Sequence, residues 1–465
     1  MKRQAGKPPK KNPQQKKAKN LRPLGEAPKV RGDAAGIDIS PEWIYVAVDG
    51  SVAQPAVRCF GTVTRELQRI ADWLQASGVR TVAMESTGVY WIPLYEVLEA
   101  RGLEVLVVNA RHYRNVPGRK SDVSDAAWLQ YLHAVGLVRG GFRPAGEICA
   151  LRTIHRHRSA LVQAASGQIQ HMQKALDQMN VQIHRVLSDL TGVSGMAILD
   201  AILAGERDGE RLASLRQEGV QASQREIVEA LEGNYLPEHL FTLRQSLDNY
   251  RHFQKQIAAC DKQIREMLGA LEIQTGWQAP APPAQKNMRR KTDEELRQEY
   301  FRILGVDLTA VPSINIGTVG VMVSEVGPDL RRFRSAAAFS SWLILCPHNS
   351  VTGGKVTSSH TREGSTRMGQ ALRMAAESLC RDKSYLGEFY RRTRAKVGPE
   401  SAITAAAHKL ARILYALVTK RVAYNEGHLI GLEQRNLAKQ RQKLIKLANA
   451  MGYRLVPTCT PAVVS

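Results

Sequence analysis

Between Ala34 and Val135, short apolar runs that read as strands alternate with segments of helical spacing. Ala35-Gly-Ile-Asp-Ile-Ser40 and Trp43-Ile-Tyr-Val-Ala-Val48 read as two strands joined by a turn. Leu67 to Ala76 is helical, and Thr81-Val-Ala-Met-Glu85 is a strand ending in Ser-Thr-Gly. Tyr90 to Ala100 is a helix with Pro93 in its first turn, Glu104 to Val108 a buried strand, and Asp122 to Val135 again helical. Such alternation implies an α/β domain with a partly parallel sheet. From Glu147 to Leu271 the strand signals vanish. Phe241 to Leu271 fits one long helix, with Leu243, Leu247, Tyr250, Ile257, Ile264 and Leu268 along an apolar stripe. A long helical pair joined at its tip, coiled-coil-like, fits this region; plain bundle packing fits nearly as well.

The chain has 465 residues, enough for two or three domains. The expected divisions are a disordered basic arm over 1–33, an α/β domain over 34–146, a helical region over 147–274, a Pro/Lys-rich linker over 275–297, a mostly α domain over 298–424 and a basic helical tail over 425–465. Residues 1–31 hold eleven Lys/Arg and one acid, Glu26. Too few large apolar groups are present there to offset the entropy of ordering.

Lys and Arg number 65 against 43 Asp and Glu, a formal charge of +22. That surplus favours a polyanion, either nucleic acid or an anionic membrane surface. The arm lacks the interleaved apolar residues of a membrane-surface helix. No apolar run approaches the roughly 20 residues that cross a bilayer, and no secretory signal is evident. A soluble cytoplasmic protein is expected. The six cysteines are scattered without a CxxC pair, which argues against a zinc site or a disulfide framework.

Four acids stand where chemistry is possible. Asp38 lies inside an apolar strand, costly unless paired or bound to a cation. Glu85 ends a strand at the edge where α/β folds place their sites. Asp122 and Asp125, three apart, share a helical face. Brought together, four carboxylates suit two Mg²⁺ ions acting on a phosphodiester. Asp122 and Asp125 also fit helix capping, and Glu85 fits an ordinary strand end.

In the second domain, Ala310 to Thr318 reads as a turn leading into a helix, either a phosphate-facing helix start or a plain packing unit. Cys346-Pro-His-Asn-Ser350-Val-Thr352-Gly-Gly-Lys355 follows, then Arg362, Arg367 and Arg373. Hydroxyls beside two glycines and several cations suit phosphate handling and nucleophilic attack. A loop of this composition is also common with no such role.

Gly36-Ile-Asp38-Ile-Ser, Met84-Glu85-Ser-Thr-Gly-Val-Tyr-Trp91, Asn109-Ala-Arg111 and Lys120-Ser-Asp122-Val-Ser-Asp125 together resemble the N-terminal half of the DEDD insertion-sequence transposases. Leu345-Cys-Pro347, Gly-Gly-Lys355-Val, Ala371-Leu-Arg373-Met-Ala-Ala and Thr404-Ala-Ala-Ala-His408-Lys-Leu-Ala-Arg412 resemble that family's C-terminal transposase domain. The resemblance spans roughly 34–424. It implies an RNase H/RuvC-like first domain with Asp38, Glu85, Asp122 and Asp125 holding divalent metal. It implies a catalytic serine just before the glycine pair, where this chain has Thr352, with Ser350 two residues earlier. Spacing favours Thr352; the less hindered primary alcohol favours Ser350. Ser121 stands where relatives often have Thr. The family further implies DNA transposition and recombination between an insertion element and its target, guidance by a structured RNA, and a tetramer in which the RuvC-like domain of one subunit meets the serine domain of another. Lys355, Arg362, Arg367 and Arg373 are the expected nucleic-acid contacts. A metal-dependent nuclease that uses only the acids, or an inactive binder of DNA or RNA, is the alternative.

Overall fold

The computed structural model describes residues 28–86, 88–109, 122–271 and 291–454. The chain divides after Arg143 into two compact units.

The first unit contains β1 (Ala34–Ile39), β2 (Trp43–Ala47), β3 (Val57–Gly61), α1 (Thr64–Ala76), β4 (Thr81–Glu85), α2 (Trp91–Ala100), β5 (Glu104–Val108) and α3 (Asp122–Ala134). One sheet runs β3-β2-β1-β4-β5. β2 is antiparallel to both β1 and β3, whereas β1, β4 and β5 are mutually parallel. Strands buried on both faces need apolar side chains in both directions, and β1 and β4 have them. Ile37, Ile39, Ile44, Val46, Val82 and Met84 pack against Leu67, Ile70 and Leu74 of α1 and Leu94 and Leu98 of α2. The opposite face carries Gly36, Tyr45, Ala47 and Ala83 and receives α3. β3 has no counterpart in the sequence reading. It is an edge strand with Phe60 alone buried, so Val57-Arg-Cys-Phe-Gly61 carries little apolar signal.

His133, in the last turn of α3, is fully buried, and its Nε2 lies 2.9 Å from the Thr81 hydroxyl. Burial pushes it down to about 4, with Arg31 adding to the effect. The unfolded chain therefore binds more protons than the folded one between pH 6.5 and about 4. The resulting stability is complete above pH 6.5 and is lost as pH falls toward 4, on the order of 3 kcal/mol in all. Denaturant unfolding at pH 7.5 and pH 4.5 is expected to show this acid loss in the wild type and less of it in His133→Gln. Equal losses would remove His133 as the cause.

The second unit contains α4 (Gly146–Gln178), α5 (Ile183–Val186), α6 (Val193–Ala204), α7 (Gly209–Ser214), α8 (Gln224–Ala230) and α9 (Pro237–Ala270). It continues with α10 (Lys291–Leu304), α11 (Ile316–Glu325), α12 (Ala336–Trp342), β6 (Ser350–Thr352), β7 (Lys355–Ser358), α13 (Arg367–Ser378), α14 (Tyr385–Val397), α15 (Pro399–Lys420) and α16 (Glu426–Ala450). α4 and α9 pair lengthwise through Leu161, Ala165 and Ile257, and Arg158 is paired with Asp261. Their far ends are joined by a small helical core rather than by a tight turn. Ile183, Ile198, Leu212 and Ile227 of α5 to α8 bury against Met172, Leu176, Leu243 and Leu247. α10 begins inside the segment expected as linker. Its Arg297 is buried and bridges Glu294 and Asp307, which ties the helix start to the domain. Residues 272–290 of that linker, residues 1–27 of the basic arm and residues 455–465 of the tail lie outside the described residues.

α11, α12, α13 and α15 pack as the helical C-terminal region, with Phe339 buried among Phe333, Tyr415 and their neighbours. Asn315 caps α11 by accepting from the Thr318 amide at 2.8 Å, so its side chain occupies the position a phosphate would take at that helix start. The five described cysteines are free thiols. Among the described residues no helix is long and apolar enough to cross a membrane.

Candidate active site

Strand register makes neighbours of two of the carboxylates, Asp38 and Glu85. Ile37 pairs with Met84 in the parallel β1–β4 ladder, so Asp38 and Glu85 come next, side by side on strands about 4.8 Å apart. Side chains alternate along a strand, so both acids share the face of Gly36 and Ala83, which is the face under α3. Glu85 is buried, 6% exposed, and Asp38 is half-buried.

α3 runs against β1. Its last carbonyl, Ala134, accepts from the amides of Val30 and Arg31 at 2.8 and 2.9 Å, just before β1. Gln130 Nε2 donates to the Ala34 carbonyl at 3.2 Å, and Gly36 faces Ala126 and Gln130. One further turn toward the helix start reaches Asp125 and Asp122, beside the Asp38 end of β1. The approach depends on Gly36: a Cβ there would stand 2.2 Å from Gln130 N and 2.4 Å from the Ala126 carbonyl oxygen.

Asp125 is half-buried, with its Oδ1 atom turned away from solvent. The side chain of Asp122 lies outside the described residues, as do Arg111, Lys120 and Ser121. Asn109 is exposed just beyond β5. Among the described residues, no three of His, Cys, Asp and Glu converge into a closed ligand cluster. What the fold supplies is an all-oxygen donor set on adjoining elements at the carboxyl edge of parallel strands. That chemistry fits a hard divalent cation that keeps part of its water.

The hydroxyls lie in the second unit, on a hairpin where the sequence reads as a loop. Thr352 pairs with Lys355, so Gly353 and Gly354 form a two-residue turn with φ of +55° and +78°. Both positions need the left-handed region, which explains the Gly-Gly pair by turn geometry. Neither glycine has a neighbour within 4 Å of a built Cβ, so close approach within the protein does not require them. Ser350, Thr352 and Lys355 are all exposed. Pairing extends back to a Pro347–Thr361 bridge, with the His348 amide donating to the His360 carbonyl at 2.8 Å.

The arginines differ in setting. Arg362 donates to the Ser341 carbonyl. Arg367 is exposed, with its Nε 4.0 Å from Glu325. Arg373 is half-buried, donates to the Ile344 carbonyl at 2.8 Å, and is held below its ordinary range by desolvation.

Residues 35–181 match the DEDD transposase model of the IS110 type, described as "Transposase". Residues 307–391 match a model described as "Transposase IS116/IS110/IS902 family". No curated protein matches the chain. The first match implies an RNase H-like α/β fold, in keeping with the mixed five-stranded sheet, and the second falls on the helical C-terminal region. DEDD transposase domains typically depend on divalent metal, and DNA is the substrate that the family implies. Two matches in this order, one over the carboxylate sheet and one over the hairpin, make the chain a member of the IS110-type DEDD transposases.

Proposed function

We propose that this DNA transposase exchanges strands by hydroxyl attack on DNA phosphodiesters, with Asp38, Glu85, Asp122 and Asp125 holding divalent metal. The observation that carries this reading is the register that sets Asp38 beside Glu85 under the helix bearing the other two acids. Mg²⁺, two ions in this reading, would supply charge stabilisation at the phosphate and a lowered barrier for the departing oxygen. The four carboxylates would orient and hold it, and the packing of α3 on Gly36 would fix their spacing.

Ser350 or Thr352 attacks phosphorus. A side-chain O–P bond forms, one backbone P–O bond breaks, and a deoxyribose hydroxyl departs with a proton. Attack on that adduct by a hydroxyl of another strand reverses these steps and completes the exchange. Lys355, which flanks the turn, is suited to a backbone phosphate. Arg362 and Arg367 extend the positive surface, and Arg373 supports the loop that carries it. The surplus of +22 and the basic segment 1–31 suit a second polyanion beside DNA, here a structured guide RNA encoded by the element. A tetramer would let the acids of one subunit serve the hydroxyl of another. The compartment is the cytoplasm.

Incubation with element DNA, co-transcribed RNA and Mg²⁺, followed by denaturation, is expected to yield a protein–DNA adduct lost in either Ser350→Ala or Thr352→Ala. Cleavage without any adduct would instead mean hydrolysis by the acids alone. Neither product would mean a binder without catalysis.

A further inference from the structure

Beyond the two hydroxyls, the hairpin presents an ordered polar face. Cys346 and His348, in the extended segment that leads into β6, take alternate positions with Ser350 and Thr352 of that strand. Opposite them stand Arg362, His360, Ser358 and Lys355, set by the pairings Ser350–Ser358 and Thr352–Lys355, the Pro347–Thr361 bridge and the His348 amide bond to His360. A bulge at Ser350/Val351 absorbs the one-residue offset between the two halves of the ladder. His348 and His360 are thus a directly opposed cross-strand pair. Both are exposed, in the row next to Ser350.

We infer that the His348–His360 pair is the general base for Ser350, and that Ser350 is therefore the attacking hydroxyl. This rests on the strand-exchange reading above. Same-face neighbours along a strand are about 6.6 Å apart at Cα, and the diagonal neighbour across the ladder about 7–8 Å. No side-chain hydrogen bond joins the three exposed residues in the structure, and an imidazole at either position is long enough to turn toward the Ser350 hydroxyl across that distance. Thr352 lies about 13 Å from His348 along the strand, beyond such reach, and its cross-strand neighbour is Lys355. Cys346 is a poor substitute, since burial pushes its thiol up despite Arg362 and Arg412. In the attack, the Ser350 proton passes to an imidazole nitrogen as the O–P bond forms. The departing deoxyribose oxygen takes a proton as the P–O bond breaks, which returns the pair to its starting state.

The test measures the rate of covalent adduct formation by the full-length chain with element DNA, co-transcribed RNA and Mg²⁺. Ser350→Ala is expected to form no adduct and Thr352→Ala to keep it. The double variant His348→Ala/His360→Ala is expected to slow it by about 100-fold or more. Added imidazole should restore part of that rate, with the melting temperature unchanged. An unaltered rate in the double variant overturns the inference, as does a slowed rate that imidazole leaves untouched. Adduct lost in Thr352→Ala but kept in Ser350→Ala also overturns it, while leaving the strand-exchange reading in place. No adduct from the wild type overturns both.

Discussion

Asp38→Asn is expected to lower DNA strand exchange by about 10³-fold while the protein keeps its fold. Asparagine preserves the shape of the side chain at its place in β1 and removes only the charge. Asp38 lies beside Glu85 in the β1–β4 register, and asparagine fills the same volume there. The melting temperature in chelator is therefore expected to stay level. Activity and stability should move apart: strand exchange assayed with Mg²⁺ collapses while thermal unfolding does not. Loss of both together would assign Asp38 a structural role instead.

Gly36→Ala carries the largest expected cost in stability. The added Cβ would meet two backbone atoms of α3, Gln130 N and the Ala126 carbonyl oxygen, at 2.2 and 2.4 Å. Backbone cannot swing aside as a long side chain can, so α3 must move off the sheet. That costs about 3 kcal/mol, at the upper end of overpacking penalties. It also shifts Asp122 and Asp125 relative to Asp38, so activity should fall even where the variant stays folded. Gly78→Ala is the comparison. Gly78 has φ +68° and nothing within 4 Å, so the cost there is conformational alone, about 1 kcal/mol. Denaturant midpoints of the two variants check the ordering. Equal midpoints would mean that α3 does not rest on β1 as tightly as the packing requires.

The parts of the fold legible in the sequence are those with a continuous apolar run or a long apolar stripe. β1, β4 and β5 announce themselves as apolar runs, and α9 through its stripe from Leu243 to Leu268. The stripe marks a helix from Phe241, but the helix begins at Pro237, a residue suited to a first turn. Elements that bury little left little trace. β3 hides only Phe60, and none of the described side chains of the β6–β7 hairpin is buried, so its strands read as loop and only the glycine pair marks a turn. In the joining core, α5, α7 and α8 are too brief to show a period.

At the site, Asp38 stood out because an acid in an apolar strand needs a reason. Its neighbour could not be read in the same way. That Glu85 lies alongside it follows from the β1–β4 register, a non-local pairing that no local pattern encodes. Gly36 is a further case. In sequence it is one small residue in a strand, whereas its role as the floor beneath α3 emerges only once Gln130 and Ala126 are seen against it. The opposed histidines are likewise twelve residues apart, and only the hairpin ladder brings them together.

Metal binding itself tests whether Asp38 and Glu85 belong to one divalent-cation site. Mn²⁺ serves as a paramagnetic substitute for Mg²⁺, and its binding to the full-length chain can be followed by electron paramagnetic resonance. Saturable binding is expected for the wild type, weakened at least about 10-fold in Asp38→Asn and in Glu85→Gln alike, with both variants melting as the wild type does. Undiminished Mn²⁺ binding in both folded variants would contradict the account and leave the two carboxylates as ordinary strand residues.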